Sequence, residues 1–320
     1  MKGPPSQKHR IHDLCATVNA RMIGKKKNTP AFPLTSGAFL APSLLILAGV
    51  LVYPLGCAFF FSLTDKTMAD PAYSWIGPGN YQKLLSDPKF WNALRHSLLF
   101  TVVAGSLNIL VGFAVALLMN RKFPLRGLFR SLLLIPWVMP PIVTGLMFRW
   151  LYNDFYGYLN FVLTQLHLID KPILFLVDPK YVWPALVLPT VWIEYPFVML
   201  MFMAALQSID PDLYRAARVD GAGSFQQFLH ITLPNLKRAF LLNGLLQIIF
   251  MFKTFNLVWI ITEGGPGGST ELLSTLAYRT AFDGFMTGYG SAIASIIFFV
   301  LFAATVLYLS IPATRMDGAR

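Results

Sequence analysis

Charged residues are scarce in this chain of 320 amino acids. Asp, Glu, Lys and Arg together make up 13% of it, about half of their share in an average soluble domain. Hydrophobic residues make up 55%, including 27 phenylalanines. A chain so poor in charge cannot cover its apolar side chains in water, which excludes a soluble globular protein. Two cysteines, Cys15 and Cys57, are too few for a disulfide-stabilised scaffold.

Motifs of nucleotide, metal and nucleophilic chemistry are also missing. The sequence contains no Gly-x-x-x-x-Gly-Lys-Ser/Thr run, which a phosphate-binding loop would need. It has no His-Glu-x-x-His or Gly-x-Ser-x-Gly motif, and its five histidines are scattered without metal-ligand spacing. We therefore expect neither catalytic residues nor a cofactor or metal site in this chain.

Six long apolar runs are present instead, each of about the 20 residues that a helix needs to cross the hydrocarbon core. They are Ser36–Ser62, His96–Met119, Ser131–Phe148, Tyr181–Leu206, Ala239–Thr262 and Phe285–Ile311. Prolines interrupt the third and fourth runs, which predicts kinked spans that are mostly buried in protein. The predicted fold class is an all-α polytopic membrane protein with six transmembrane helices.

The distribution of basic residues predicts the orientation. The segments 1–34, 120–130, 207–238 and 312–320 hold 17 Lys and Arg residues, whereas the segments on the opposite side hold 8. Because positive residues favour the cytoplasm, both termini are expected inside. The predicted organisation is a basic cytoplasmic segment over residues 1–35, a six-span domain over residues 36–311 and a cytoplasmic tail over residues 312–320.

The cytoplasmic loop 207–238 reads as two short helices. Asp210 followed by Pro211 is typical of a helix start, and Gly221 and Gly223 are typical of a helix end. Ser224 and Gln227 have the spacing of a capping box that begins a second helix, which runs towards Pro234. The loop is therefore predicted to form a helix–turn–helix projection from the membrane face.

The residues of this projection resemble the EAA loop of ABC importer permeases, written Glu-Ala-Ala, three residues, Gly, nine residues, Ile-x-Leu-Pro. The matching runs are Tyr214-Arg215-Ala216-Ala217-Arg218-Val219-Asp220-Gly221 and Ile231-Thr232-Leu233-Pro234. In that family the loop docks on a separate ATPase subunit. The resemblance assigns this coupling role to Asp212, Tyr214, Arg215, Ala216, Ala217, Asp220, Gly221, Ile231, Leu233 and Pro234. Arg215 stands where the family usually has Glu, so we expect a different partner on the ATPase there.

Residues in and around the loop before the last span indicate which group of these permeases the chain resembles. Phe255-Asn256-Leu257, Ile261-Thr262-Glu263-Gly264-Gly265-Pro266 and Gly288-Tyr289-Gly290-Ser291-Ala292 are similar to sugar permeases of the maltose and glycerol-phosphate type. This implies a type I (MetI-like) permease fold in a bacterial inner membrane and import of a di- or oligosaccharide. It also implies a second, similar permease, two ATPase subunits that bind ATP and Mg²⁺, and an extracytoplasmic solute-binding protein. The alternatives are an ABC permease for another solute and an ion-coupled secondary transporter.

Polar residues inside the spans are candidates for the sugar path. Asn243, Gln247, Phe250 and Thr254 fall on one face of the fifth span, where amides, a hydroxyl and an aromatic ring suit a sugar. The alternative is that the amides join neighbouring helices. Four tryptophans elsewhere are more typical of aromatic belts at the membrane interface than of a sugar path. They are Trp137, Trp150, Trp183 and Trp259.

Two charged residues lie within the predicted spans, and charges in a membrane usually face a cavity or a partner. Glu194 lies beside Tyr195 in the fourth span, and Lys253 lies in the fifth. We count Glu194, Tyr195 and Lys253 as candidate path residues. The alternatives are a structural Glu194–Lys253 pair, a group on the partner permease, or a Lys253 side chain that reaches outward to the interface. If Lys253 faces the path, an anionic oligosaccharide becomes an attractive substrate.

Overall fold

The computed structural model describes residues 34–310, with side chains described from Leu40 onwards. The basic N-terminal segment and the C-terminal tail of the predicted organisation lie outside these residues. Between Leu34 and Ser310 the chain is helical and has no β-strand, apart from an antiparallel bridge between Thr64 and Trp75. The helices are α1 (Leu34–Leu47), α2 (Tyr53–Ser62), α3 (Gly79–Leu85), α4 (Pro88–Asn120), α5 (Arg126–Val138), α6 (Pro141–Leu151), α7 (Tyr158–Gln165), α8 (Pro179–Gln207), α9 (Pro211–Val219), α10 (Ser224–Gln227), α11 (Leu233–Asn235), α12 (Lys237–Phe252), α13 (Asn256–Ile261), α14 (Leu273–Tyr278) and α15 (Thr287–Ser310).

Five helical segments are long and apolar enough to cross a membrane, and a sixth is a bent pair. The five are Leu40–Ser62, Pro88–Asn120, Pro179–Gln207, Lys237–Ile261 and Thr287–Ser310. The pair consists of α5 and α6, which meet at an angle of 91°. The prediction of six apolar spans therefore holds, provided that the third is counted as a broken one.

The chain divides after Gly56 into two compact units. In the part before this point, the described side chains from Leu40 to Gly56 are exposed. The part from Cys57 onwards contains the described core, and within it α4 and α8 make the most extensive helix contact. Gly112 on α4 allows this close approach, because a Cβ there would lie 2.7 Å from the Cβ of Val198 on α8.

Three apolar clusters hold the larger part together. The first joins α4, α6, α8 and α13 around Phe100, Leu186 and Val258. The second joins α3, α4, α14 and α15 around Leu84, Leu273 and Ile293. The third lies towards the end of α8 and contains Val198, Met199, Phe202 and Leu236. The helices that join these clusters carry the polar residues of the spans.

The fourth span, α8, is mostly buried in the protein, as predicted. α8 runs without interruption through Pro184, Pro189 and Pro196, and 56% of its most apolar window is buried. Pro189 and Pro196 are buried, so neighbouring helices surround two of the positions where proline removes a backbone donor, whereas Pro184 is exposed. The third span has the predicted kink, which is the 91° bend between α5 and α6. Its burial is lower than predicted, because α5 buries Pro136 alone and α6 buries Thr144, Gly145 and Phe148.

Candidate functional site

Two spans are broken in the part of the chain from Cys57 onwards. The third breaks at Met139 and Pro140, where two successive prolines prevent the helix from continuing. The fifth breaks between Phe252 and Asn256. At this second break, Thr254 donates its hydroxyl to the carbonyl of Phe250, and its own carbonyl accepts a hydrogen bond from Ser274 at 2.5 Å.

A cavity of about 530 Å³ lies where the two breaks meet α8. Trp137 and Pro141 flank the first break, and Lys253, Thr254 and Phe255 form the second. Binding sites of transporters tend to lie at such interruptions near the middle of the membrane. The complete lining is Trp137, Pro141, Thr190, Ile193, Glu194, Phe197, Phe250, Met251, Lys253, Thr254, Phe255, Asn256 and Leu257.

Glu194 and Lys253 are the two charged residues of this lining. They do not belong to the ion pairs with contacts of 4 Å or less in the described chain. The ammonium nitrogen of Lys253 lies 5.3 Å from the centre of the Phe250 ring, a distance that suits a cation–π contact. Both charges therefore face the cavity without neutralising each other in a direct salt bridge.

Aromatic rings form much of the cavity wall. The rings of Trp137 and Phe197 are 5.9 Å apart, and those of Phe197 and Phe250 are 5.7 Å apart. Trp137, predicted for an interface belt, lines this cavity. Flat apolar faces next to one acceptor and one donor can bind a molecule that carries both hydroxyl groups and apolar C–H surfaces.

The structure separates the polar stripe predicted on the fifth span. Phe250 and Thr254 line the cavity, whereas Asn243 and Gln247 are 0% and 2% exposed and lie outside the lining. Gln247 faces α4, where its Oε1 accepts a hydrogen bond from Asn108 Nδ2 at 2.9 Å. The alternative interpretation, amides that join helices, fits Gln247.

Tyr195 also lies outside the cavity lining. Its hydroxyl donates to the carbonyl of Leu133 on α5 at 3.3 Å, so it joins α8 to the first half of the broken third span. Trp183 and Trp259, predicted for interface belts, are partly buried and pack against other aromatic rings. Trp183 lies against His96 and Phe100, and Trp259 stacks on Phe255.

Several lining residues were missed in the sequence, notably Phe197, Phe255 and Asn256. No local signal distinguishes these from ordinary packing residues in an apolar run. Trp137 has a usable signal, because it lies three residues before Pro140, the first of the proline pair that breaks the third span. A ring next to a predicted break is a candidate for the wall of the resulting cavity.

The loop 207–238 forms the predicted helix–turn–helix projection. Asp210 accepts a hydrogen bond from the backbone N–H of Asp212 at 2.9 Å and so caps α9. The turn that follows contains Gly221 at φ +80°. The hydroxyl groups of Tyr214 and Thr232 are 2.9 Å apart and connect the two arms.

The start of the second arm differs from the predicted capping box. Gly223, not Ser224, is the N-cap residue, and Gln226 Oε1 accepts a hydrogen bond from its backbone N–H at 2.9 Å. Gln227 instead donates to the carbonyl of Ala222 at 2.8 Å. The cap lies one residue earlier because a glycine N-cap needs no side chain when the third helical residue reaches back.

The two arms enclose an open groove of about 340 Å³. Its lining is Ala217, Asp220, Gly221, Ala222, Gln226, Gln227, His230 and Ile231. Val219 and Phe225 beside it are 88% and 72% exposed, so the tip of the projection carries apolar side chains that a partner surface can cover. Arg215 forms an exposed ion pair with Asp212 at 2.6 Å on its own helix.

The glycine-rich loop after α13 is folded around a carboxylate on the opposite side of the spans. Arg279 binds Glu271 at 2.9 Å and also donates to the carbonyl of Glu263. Burial raises the pKa of Glu271, although the positive charge of Arg279 opposes the shift. Gly264, Gly267 and Gly268 have positive φ angles in this loop.

Comparison with known proteins identifies the fold. Residues 108–312 match the family described as the binding-protein-dependent transport system inner membrane component. The chain belongs to this family. It is accordingly a transport permease of the inner membrane that crosses the bilayer several times.

Relatives of this permease cover most of its length. It is 34% identical to the trehalose/maltose transport system permease protein MalF of Thermococcus litoralis, over 87% of this chain and 93% of that protein. It is 35% identical to the sulfoquinovosyl glycerol transport system permease protein SmoG of Agrobacterium fabrum, over 86% and 89%.

A solved structure shares the fold of the permease. A chain of the bacterial alginate ABC transporter, crystallised in complex with an alginate pentasaccharide-bound periplasmic protein, superposes with a TM-score of 0.75. The two chains are 20% identical, and the match covers 87% of this permease and 94% of that chain. The all-α polytopic fold expected from the sequence is thus confirmed.

Proposed function

We propose that this permease is a membrane subunit of an ATP-driven importer for a di- or oligosaccharide, and that the cavity between the broken spans is part of the sugar path. The cavity itself carries the proposal. Glu194 can accept hydrogen bonds from sugar hydroxyls, Lys253 can donate them, and the rings of Trp137, Phe197 and Phe250 offer apolar faces. Two relatives are named as transport permeases for trehalose/maltose and for sulfoquinovosyl glycerol, which supports a sugar as the substrate.

The proposal includes acidic sugars. Lys253 is exposed and lies at the end of α12, where its ammonium group borders the cavity. A carboxylate or sulfonate on the sugar would gain a favourable contact there. Glu194 on the opposing helix acts against a second negative charge, so the balance between these two residues sets the preferred charge of the substrate.

The proposed assembly contains a second, similar permease, two ATPase subunits and an extracytoplasmic solute-binding protein. ATP and Mg²⁺ are bound by the ATPase subunits, and this chain contributes no cofactor site. The projection formed by α9–α11 contacts an ATPase in the cytoplasm, and both termini lie on that side. ATP binding moves the projection, and the cavity changes between inward and outward access.

Helix α12 supports this coupling route. It begins at Lys237, directly after the projection, and ends at Phe252, next to the cavity residue Lys253. A helix of 16 residues transmits displacement along its axis because its backbone hydrogen bonds resist stretching. Movement of the projection is therefore expected to reach the cavity wall directly.

The test is uptake of labelled sugars by proteoliposomes that contain the complete assembly. We expect accumulation only with ATP on the side of the projection and binding protein on the other side. Accumulation that follows an ion gradient and needs no ATP would contradict the proposal and favour ion-coupled transport. Uptake of amino acids with no response to any carbohydrate would contradict the substrate class alone.

A further inference from the structure

Three buried amides form a cluster along α4 and α12: Asn108 on α4, and Gln247 and Asn243 one turn apart on α12. Asn108 on α4 is 0% exposed and donates through Nδ2 to Gln247 Oε1 at 2.9 Å. Asn243 is also 0% exposed, and its Nδ2 donates to the carbonyl of Ala239 on its own helix at 2.9 Å. The cluster is thus built into the core and lies outside the sugar cavity.

Three atoms of this cluster have no hydrogen-bond partner among the described residues: Asn108 Oδ1, Asn243 Oδ1 and Gln247 Nε2. A buried polar atom without a partner costs free energy that an apolar side chain of similar shape would avoid. We expect a protein to keep such unpaired atoms where the same groups form hydrogen bonds in another arrangement of the helices.

The spacing on α12 indicates what that arrangement is. Asn243 and Gln247 are four residues apart, so they lie on the same face, one turn from each other. The ring pair Phe113–Phe240 at 4.9 Å shows that α4 and α12 pack against each other further along, with Asn243 between that contact and Gln247. Displacement of α12 by one turn along its axis, about 5.4 Å, brings Asn243 to the place that Gln247 now occupies.

We infer that Asn108 is a positioning residue for transport, with Gln247 and Asn243 as alternative partners in two positions of α12 one turn apart. In the present position Asn108 Nδ2 donates to Gln247. In the other position it donates to Asn243 Oδ1, which is unused here. Gly105 has no side chain on this side of α4, where a Cβ would lie 3.5 Å from the Cβ of Gln247. This leaves space for Gln247 to pass.

The consequence for the cavity follows from the course of α12. Because this helix begins after the cytoplasmic projection and ends at Lys253, each position of α12 sets a different position of Lys253 and Phe250 in the cavity wall. One-turn shifts between packed helices are a known form of switching between two states. The link to nucleotide-driven transport rests on the proposed function, whereas the exchange of amide partners does not.

The experiment measures the distance between spin labels at Asn92→Cys and Lys237→Cys in the assembled importer, with Cys15 and Cys57 replaced by Ser. These positions are exposed and lie near the far ends of α4 and α12. We expect two distances that differ by about 5 Å, the shorter belonging to the Asn108–Asn243 position. Their ratio should change when ATP and vanadate are added.

Three variants test the exchange. Gln247→Leu should shift the ratio about fivefold towards the shorter distance, and Asn243→Leu about fivefold towards the longer one, since each removes one hydrogen bond of ordinary strength. Asn108→Leu should abolish the effect of both. If the amides only held the helices together, Gln247→Leu and Asn243→Leu would shift the ratio of the two distances in the same direction.

The control is Ser295→Ala, another buried polar residue, which lies on α15 and donates within its own helix. It should leave both distances and their ratio unchanged. A single distance under all conditions, or equal shifts in Ser295→Ala, would overturn the inference. Opposite shifts without any response to nucleotide would support the exchange and contradict the ATP-driven proposed function.

Discussion

Two opposite charges in one cavity have different effects on a substrate, even though their sum is zero. Glu194 lies in the middle of a helix and is half-buried, whereas Lys253 lies at a helix break and is exposed. The ammonium group therefore has more freedom to follow a bound molecule. Separate substitutions at the two positions can show which charge governs selection.

Glu194→Gln should favour acidic sugars and Lys253→Met should favour neutral ones. Each change removes one charge and leaves the other facing the substrate, so the ratio of acidic to neutral uptake should shift about tenfold in opposite directions. The measurement is competitive uptake of a uronate-containing and a neutral oligosaccharide by proteoliposomes. Lys237→Met, at the cytoplasmic start of α12, is the matched control, and an equal shift there would point to surface charge instead of the cavity.

Glu271 predicts a dependence of stability on pH. Burial raises its pKa in the folded protein above the unfolded value of about 4.3. Between these two values the unfolded chain loses its proton first. The contribution to the free energy of unfolding is therefore full below the unfolded value and is lost as the pH rises through the folded one.

Glu271→Gln should remove this contribution. At pH 4 the purified protein should melt at a higher temperature than the Glu271→Gln variant, and this difference in melting temperature should disappear as the pH is raised to 7. The matched change Glu263→Gln affects a side chain that is 58% exposed in its ion pair with Arg149. If Glu263→Gln showed the same pH-dependent difference, burial of Glu271 would not be its cause.

The turn of the cytoplasmic projection provides a test of coupling. Gly221 has φ +80°, and space around its missing Cβ is open, so a substitution there strains the backbone without a steric clash. Gly221→Val should cost about 1–2 kcal/mol and reorient α9 relative to α10. We expect ATP hydrolysis by the assembly to continue while sugar uptake falls at least tenfold.

Gly223→Val is the matched control for this experiment. Gly223 has φ −68° and ψ 166°, a conformation that β-branched residues adopt readily. It should retain both ATPase activity and uptake. Failure of Gly221→Val to assemble with its partners, judged by co-purification, would instead assign the turn a role in docking and contradict an effect on coupling alone.

The helix breaks show how much of the candidate site the sequence can predict. Pro140 and Pro141 break the third span by local chemistry, so its interruption was predictable. The fifth span breaks at Lys253, Thr254 and Phe255, where the carbonyl of Thr254 accepts a hydrogen bond from Ser274 in a later segment. Since a contact 20 residues away stabilises this break, a scan for helix-breaking residues misses it.

The amides of the fifth span show a second limit. Helical periodicity correctly places Asn243 and Gln247 on one face, but one helix does not reveal which neighbour that face meets. Asn108, the partner of Gln247, lies 139 residues away in the sequence. The apolar spans and the helix–turn–helix form of the loop 207–238 were predictable because their signals are local, whereas the cavity depends on how distant breaks come together.

Orientation is a property of the complete chain, and it decides which surface meets ATP. The cytoplasmic assignment of the projection rests on the 17 basic residues predicted on that side against 8 on the other. Phe225 is an exposed residue of the projection, and Asp283 is an exposed residue of the loop region after the fifth span. The two positions should therefore lie on opposite sides of the membrane.

Single cysteines at these positions test the orientation in intact cells. With Cys15 and Cys57 replaced by Ser, Asp283→Cys should react with a membrane-impermeant maleimide added outside, because its loop lies on the extracytoplasmic side. Phe225→Cys should react only after the inner membrane is opened. The reverse pattern would place the projection outside, where no cytoplasmic ATPase can reach it, and the coupling route through α12 would then have no source of energy.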